Sequence, residues 1–212
     1  MKIIFDFDHT LFSAKKLFEN LKEEFKKVGV SEKLFFETFQ KSKGNFGYIP
    51  RKQFELITKE NPELNLIKLE ETFKKVINRA DKFLYPDVLP VLINLKKENE
   101  LILLSYGEKE FQREKIDNSK ITHYFNKIVV TQEINKISEL RKILKKKENA
   151  VFVEDNPRAL VEAKKYFPDL VTVRINRNEG KYIKEPNNEK IDFVIENLDE
   201  IKKILKELKD GC

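Results

Sequence analysis

The stretch IIFDFDHTLF, residues 3–12, decides how this chain is read. It belongs to a short apolar run, KIIFDF (2–7), whose β-branched and aromatic residues predict a buried strand. The run ends on two carboxylates, Asp6 and Asp8, one residue apart. Buried carboxylates are costly unless they are paired, hydrogen-bonded or bound to a metal. Alternate residues of a strand point to one side, so Asp6 and Asp8 face the same way while the strand persists. Either the acids are solvated at the surface, or they have chemistry to perform.

Downstream, similar runs recur: LILLS (101–105), KIVVT (127–131), AVFVE (150–154), LVTVRI (170–175) and DFVI (192–195). Helical patterns lie between them, over Asp87–Lys97, 111–117, Ser138–Lys147 and Pro157–Phe167, and a Lys-rich helix closes the chain. Short buried runs alternating with helices predict an α/β fold, a Rossmann-like parallel sheet with helices on both faces. Residues 14–83 break the alternation. Ser13 is placed to cap a helix, and Leu17, Phe18, Leu21, Phe25 and Val28 follow at helical spacing. Further helical patterns begin at Ser31, Pro50 and Leu66, giving four helices and no strand. Phe35, Phe36, Phe39, Phe54 and Phe73 are expected to pack within them. The loop 42–48 and its neighbours Arg51 and Lys52 are candidates to approach a substrate. A lone first strand cannot fold by itself, so 14–83 is expected to be an all-helical insertion in one α/β core made of 1–13 and 84–212.

Composition sets limits on function. The chain has 212 residues, 40% of them hydrophobic, with 17 Phe to fill a core. That is a globular composition rather than a disordered one. The net charge of +6 is spread over helices as Lys, a solvated surface or a field that attracts anions. No basic block or aromatic-spaced basic stripe favours nucleic acid. The one cysteine, Cys212, allows no disulfide within the chain and fits a reducing compartment. There is no signal-peptide progression, and no apolar run approaches the roughly 20 residues of a membrane span. The expectation is a soluble cytoplasmic protein.

Ligands of parallel α/β sheets bind outside the carboxyl ends of the strands. Asp6, Asp8 and Thr10 follow the first run. Ser105, Tyr106 and Gly107 follow the second. Lys136 lies between the third and fourth, and Glu154, Asp155 and Asn156 follow the fourth. Singly, these are ordinary helix caps and a solvated lysine. Together they fit phosphoryl transfer. Carboxylates without His or Cys at ligand spacing favour a hard cation, Mg²⁺ being the natural choice. Asp6 is suited to ligate it and to attack phosphorus. Asp8 is suited to protonate the leaving oxygen and then activate water. Ser105 and Lys136 are suited to hold phosphoryl oxygens.

Five segments carry a family resemblance. DFDHTLF resembles motif one of the haloacid dehalogenase (HAD) superfamily, an apolar strand followed by Asp-x-Asp-x-Thr. LILLSYG resembles motif two, the Lys of EINKISEL (133–140) sits where motif three is expected, and VFVEDNPRAL (151–160) resembles motif four. FVIENLDEIKKIL (193–205) looks like the family's closing segment. The resemblance implies that Asp6 is nucleophile and magnesium ligand. It makes Asp8 the general acid/base, with its carbonyl on the metal. Thr10 supports the loop around Asp6 and is grouped with the phosphate-binding Ser105 and Lys136. Asp155, with Glu154, completes the magnesium site, and the insertion is a cap over the substrate. Lys127 and Lys142 are the fallback choices for motif three. Two positions depart from the pattern. His9 stands where Gly or Asn is usual, and Ala159 stands where a further acid often follows motif four. Members that cleave carbon–halogen bonds lack the second Asp, so Asp8 argues against a dehalogenase. The implied activity is Mg²⁺-dependent hydrolysis of a small phosphorylated metabolite through an aspartyl-phosphate. The alternatives are a phosphotransferase or mutase, a phosphatase on nucleic-acid ends or a phosphoprotein, and a non-catalytic binding module.

Overall fold

Residues Lys2–Phe5 form the first strand, β1, with every residue buried. Such a strand needs neighbours on both edges, and the chain supplies them from far away in sequence. The computed structural model, which describes residues 1–145 and 148–210, pairs β1 in parallel with β4 (Glu100–Tyr106) on one side and β6 (Ala150–Glu154) on the other. Beyond β4 lies β5 (Lys127–Thr131), and beyond β6 lie β7 (Val171–Ile175) and β8 (Phe193–Ile195). The order is β5-β4-β1-β6-β7-β8, and every pairing is parallel. The predicted strands are therefore all present. Because the chain builds first to one side of β1 and then to the other, the strand order reverses at β1. The crevice beyond its carboxyl end is the expected ligand site.

Alternation along β1 divides the core into two layers. Ile3 and Phe5 face a layer formed with α5 (Val88–Leu95), α6 (Lys109–Asn118) and α9 (Ile201–Asp210). Ile4 faces the other, with α7 (Ile137–Ile143) and α8 (Pro157–Tyr166). Helix α7 stops at Ile143, short of the predicted Lys147, because Leu144 turns to extended backbone. Lys146 and Lys147, at the end of that reading, and Cys212 lie outside the described residues.

Between β1 and β4 come α1 (Ala14–Lys27), α2 (Glu32–Lys41), α3 (Pro50–Glu60) and α4 (Leu66–Ile77), and a 3₁₀ turn (Ala80–Phe83). Ser13, Ser31 and Asn65 cap three of these helices through their side chains. The expected absence of strands is corrected by a two-residue hairpin, β2 (Lys43–Gly44) with β3 (Gly47–Tyr48). Gly47 takes φ +125°, a turn conformation open to glycine, which a helical count does not register. Phenylalanines pack through the layer, Phe18 on Phe39 and Phe25 on Phe35 edge to face, Phe18 on Phe35 and Phe25 on Phe54 at a tilt. Phe36 does not join them and is exposed. The chain leaves the sheet side at Phe12 and returns at Leu84, where the two strands of backbone bridge.

A buried cation holds this crossing in place. Arg177 forks onto Asp87 at 2.6 and 2.9 Å, donates to the Thr10 carbonyl at 3.0 and 3.2 Å, and stacks on Tyr85. Removing one partner leaves a buried charge uncompensated. Arg177→Leu is expected to cost about 3–5 kcal/mol, read from the midpoint of a urea unfolding curve.

Candidate active site

The sheet ends converge on one cluster of charge. Asp6 follows β1 directly, and Glu154 is the last residue of β6, so parallel pairing sets them side by side. Lys136 sits between them with its ammonium 2.5 Å from an oxygen of each. It takes a left-handed backbone, φ +62°, just before α7, a costly conformation for lysine and one that recurs at functional sites. Asp155 joins the cluster. One carboxylate oxygen each from Asp6, Glu154 and Asp155 lie within 4.8 Å of one another.

Three buried or half-buried carboxylates against one ammonium leave two negative charges unbalanced. Burial, reinforced by Glu154, pushes the Asp6 carboxyl up to about 7 against the pull of Lys136. Burial and the charges of Glu154 and Asp6 hold Asp155 well above the usual carboxylate range. Burial alone would lower the Lys136 ammonium, but its two carboxylates outweigh it and hold it above its ordinary value. The donor set is all hard oxygen, and its spread is close to the roughly 4 Å across an octahedral ion with 2.1 Å bonds. Charge, donor type and spacing all suit a divalent cation of the magnesium kind.

Asp8 belongs to a second group. Its two oxygens accept from Lys115 Nζ at 2.6 and 2.7 Å, and one also accepts from Gln112 Nε2 at 2.8 Å. Burial would raise its carboxyl, but the Lys115 ion pair and hydrogen bonds outweigh it and hold Asp8 below the usual range. Gln112 Nε2 also donates to Ser105 Oγ at 2.6 Å. Asp6, Asp8, His9, Tyr106, Lys136 and the Glu154–Asn156 segment line a cleft of about 240 Å³.

The predicted residues fall into three placements. Asp6, Asp8, Lys136, Glu154 and Asp155 all meet in the cleft. Ser105 is buried at the end of β4, one hydrogen bond behind Asp8 through Gln112. Thr10, grouped with the phosphate-binding residues, is fully buried beneath the loop and does not line the cleft. The chain turns under itself at 10–12, where three backbone N–H groups fold back onto the Phe7 carbonyl, and this carries the Thr10 hydroxyl inward. Of the fallback lysines, Lys127 begins β5 and lies at the far end of the sheet, and Lys142 pairs with Glu139 on exposed α7. Ala159 is buried in α8 and offers no ligand.

His9 has a structural explanation. It adopts φ +59°, the left-handed region in which Asn, Asp and His are the enriched non-glycine residues. Its N–H reaches the Phe12 carbonyl at 2.7 Å, and its Nδ1 lies 3.3 Å from Glu179. The ring rests on Gly180, where a Cβ would meet it at 3.0 Å. Glu179 also accepts from Ser13 at 2.7 Å and from the Tyr85 hydroxyl. One carboxylate thus ties the Asp6–Asp8 loop to both crossings of the insertion. Burial would raise Glu179, but these donors outweigh it and hold it below its ordinary value.

Sequence reasoning missed Lys115, Gln112 and Glu179. A signal existed for two of them. On α6 the inward face carries Gln112, Lys115 and Ile116, and polar groups on a buried face demand partners. Glu179 lies in an irregular segment without periodicity and left no such trace.

Comparison with known proteins agrees with this fold. A family model described as haloacid dehalogenase-like hydrolase matches residues 3–173. Among curated proteins, none matches this sequence. Similar folds are found in a haloacid dehalogenase-like hydrolase from Burkholderia xenovorans LB400 (TM-score 0.76, 19% identity, 97% of this chain and 96% of that one). A structure described as a predicted phosphoglycolate phosphatase from Haemophilus somnus 129PT is also similar (0.58, 18%, 96% and 97%). So is L-2-haloacid dehalogenase from Xanthobacter autotrophicus (0.61, 15%, 97% and 98%).

Proposed function

The chain belongs to the haloacid dehalogenase-like hydrolase family, and we propose that within it this protein is a Mg²⁺-dependent phosphatase acting on a small phosphate monoester. The observation that carries the proposal is the division of acids into two groups, Asp6 with Glu154 and Asp155, and Asp8 with Lys115. A halide leaves as a stable anion and needs neither a proton nor a cation. An alcohol leaving from phosphorus needs a proton, and the phosphoryl oxygens need positive charge. Both needs have residues here, which favours the phosphatase over the dehalogenase found on the same fold.

Asp6, Glu154 and Asp155 would hold a Mg²⁺, which would supply positive charge to offset that of the phosphoryl group. Asp6 attacks phosphorus through its free carboxylate oxygen. An oxygen–phosphorus bond forms at Asp6 as the bond from phosphorus to the alcohol breaks. The alcohol oxygen keeps the bonding electrons and takes a proton that comes from the Lys115 ammonium through the Asp8 carboxylate, the two forming one hydrogen-bonded pair. Water then attacks phosphorus, gives its proton back to that pair, and the Asp6 oxygen leaves. Lys136 holds Asp6 in place and adds positive charge beside the phosphoryl group. The insertion 14–83 closes over this site as a cap and excludes water, with 1–13 and 84–212 as the core.

A direct test uses the purified protein with MgCl₂, measuring phosphate from aryl phosphates and chloride from L-2-chloropropionate. Phosphate release that EDTA stops is the expected outcome. Chloride release in its place would overturn the proposal.

Lys115 supplies a further expectation. Lys115→Met removes the charge that keeps Asp8 ionised, so the carboxyl of Asp8 rises. The acid limb of the kcat–pH profile should move to higher pH. At neutral pH kcat should fall roughly 10²–10⁴-fold, the usual scale for a displaced acid–base group.

A further inference from the structure

Beside the acid cleft lies a second space of about 220 Å³ that shares Asp8 and Tyr106 with it. Its walls are Leu17 and Phe18 of α1, Phe39 of α2, Phe46 and Tyr48 of the hairpin, and Phe111 of α6. The side-chain hydrogen-bond donors that reach this chamber are already engaged. Gln112 Nε2 is spent on Asp8 and Ser105. The Glu108 carboxylate caps α6 by accepting from the Glu110 and Phe111 N–H groups. The Tyr48 hydroxyl donates to Gln53, and that of Tyr106 to the Asn45 carbonyl at 3.4 Å. The Lys115 ammonium holds both Asp8 oxygens and is otherwise ringed by Phe7, Phe12 and Phe111, whose centroids lie 5.0 to 5.7 Å away.

These engagements restrict what the chamber accepts. Among the described residues that line the chamber no free cation remains to bind a second phosphate or a carboxylate, and Glu108 and Asp8 repel both. A hydroxyl-rich body would lose its water and find no free side-chain donor for its oxygens, at a cost for each group left unpaired. An apolar body loses nothing polar and is taken out of water. An engineered apolar cavity of roughly 150 Å³ takes up benzene, so this one has room for a ring with a small substituent.

Resting on the phosphatase reading above, we propose that the substrate is the monophosphate of an uncharged, largely apolar alcohol. Its phosphoryl group sits at Asp6, and its phenyl or short alkyl body fills the chamber walled by Phe18, Phe39, Phe46 and Phe111. Asp8 stands at the junction of the two spaces, where the oxygen of the leaving alcohol must pass. The alcohol is released on the chamber side, and inorganic phosphate on the cleft side.

The test measures kcat/KM, with MgCl₂, for phenyl phosphate and hexyl phosphate against glucose 6-phosphate, phosphoserine and phosphoglycolate. Calorimetric titration with phenylphosphonate and methylphosphonate reads binding without turnover. Phenyl and hexyl phosphate should be favoured by on the order of 10–100-fold, and phenylphosphonate should bind tighter by a similar factor, the gain from burying one ring. Phe46 is 37% exposed at the hairpin, so Phe46→Asp should stay folded by circular dichroism and should lower the ratio of phenyl phosphate to glucose 6-phosphate. Should that variant unfold, Phe46→Ser reads the same ratio. Phosphate release from the polar esters at equal or higher efficiency would overturn the inference and leave the phosphatase standing. So would an unchanged ratio in the folded variant, or equal binding of the two phosphonates. No phosphate from any ester would overturn both.

Discussion

Replacing Asp6 by Asn is expected to remove phosphate release while making the metal-free protein more stable. Asn is nearly isosteric, and its carbonyl still accepts from Lys136, so the fold should be unchanged. The attacking oxygen is lost, and kcat should fall roughly 10⁴-fold or more, as when other covalent nucleophiles are removed. The stability gain follows from linkage. The unfolded carboxyl titrates near 3.8 and the folded one near 7. Between these values the folded state holds more protons than the unfolded one, so stability declines as pH rises, by about 1.4 kcal/mol per unit. The full penalty is present above pH 7 and absent below about 4. Asn carries no charge, so the variant should melt above wild type at pH 8 without metal, and the difference should close by pH 4. Saturating Mg²⁺ should reverse the order at pH 8, because the wild type gains a ligand that the variant holds less well. Thermal unfolding with EDTA and with MgCl₂, beside a phosphate assay, checks both parts. Retained turnover in a folded Asp6→Asn protein would sink the mechanism. A variant less stable than wild type at pH 8 without metal would sink the assignment of unbalanced charge to Asp6.

The strands and most helices were legible because the chain announces them locally. A parallel strand buried on both faces must be a continuous apolar run, and β1, β4 and β6 each read that way. The acids were legible only as a set, since one carboxylate after such a run reads as a helix cap, whereas acids after several strand ends on one rim do not. What escaped was pairing across the fold. Lys115 looked like one of many lysines in a charged helix, and its meaning depends on α6 packing against the Asp6–Asp8 loop. The hairpin escaped because two residues per strand carry no period. The family resemblance groups Thr10 with the phosphate-binding residues, whereas the turn back onto Phe7 decides where its hydroxyl goes. His9 was identified as a departure from the usual residue. The left-handed backbone that accounts for it is a property of three-dimensional closure, as is its contact with Gly180.

Lys136→Met tests the other half of the charge balance, and its effect should fall on stability as well as rate. The side chain keeps its length and apolar stem, and loses only what the ammonium makes, its place over the Phe152 ring included. What goes is the ammonium between Asp6 and Glu154. Breaking a buried pair by removing one partner costs about 3–5 kcal/mol. In a chain of this size that corresponds to a fall of roughly 6–20 °C in Tm at pH 7 without metal. The deficit should be conditional. All three carboxylates would then face one another without a cation, and their folded titrations would move further above the unfolded ones. Protonation relieves that repulsion, so the variant should regain stability as pH falls towards 5. Wild type, with Lys136 in place, should recover less over the same range. Millimolar Mg²⁺ should restore the variant at pH 7 by supplying charge where the ammonium stood, whereas Na⁺ at equal ionic strength should not. A melting deficit independent of both pH and Mg²⁺ would mean that Lys136 acts through packing alone. Recovery by either route would mean that the ammonium and a divalent cation answer the same excess of negative charge.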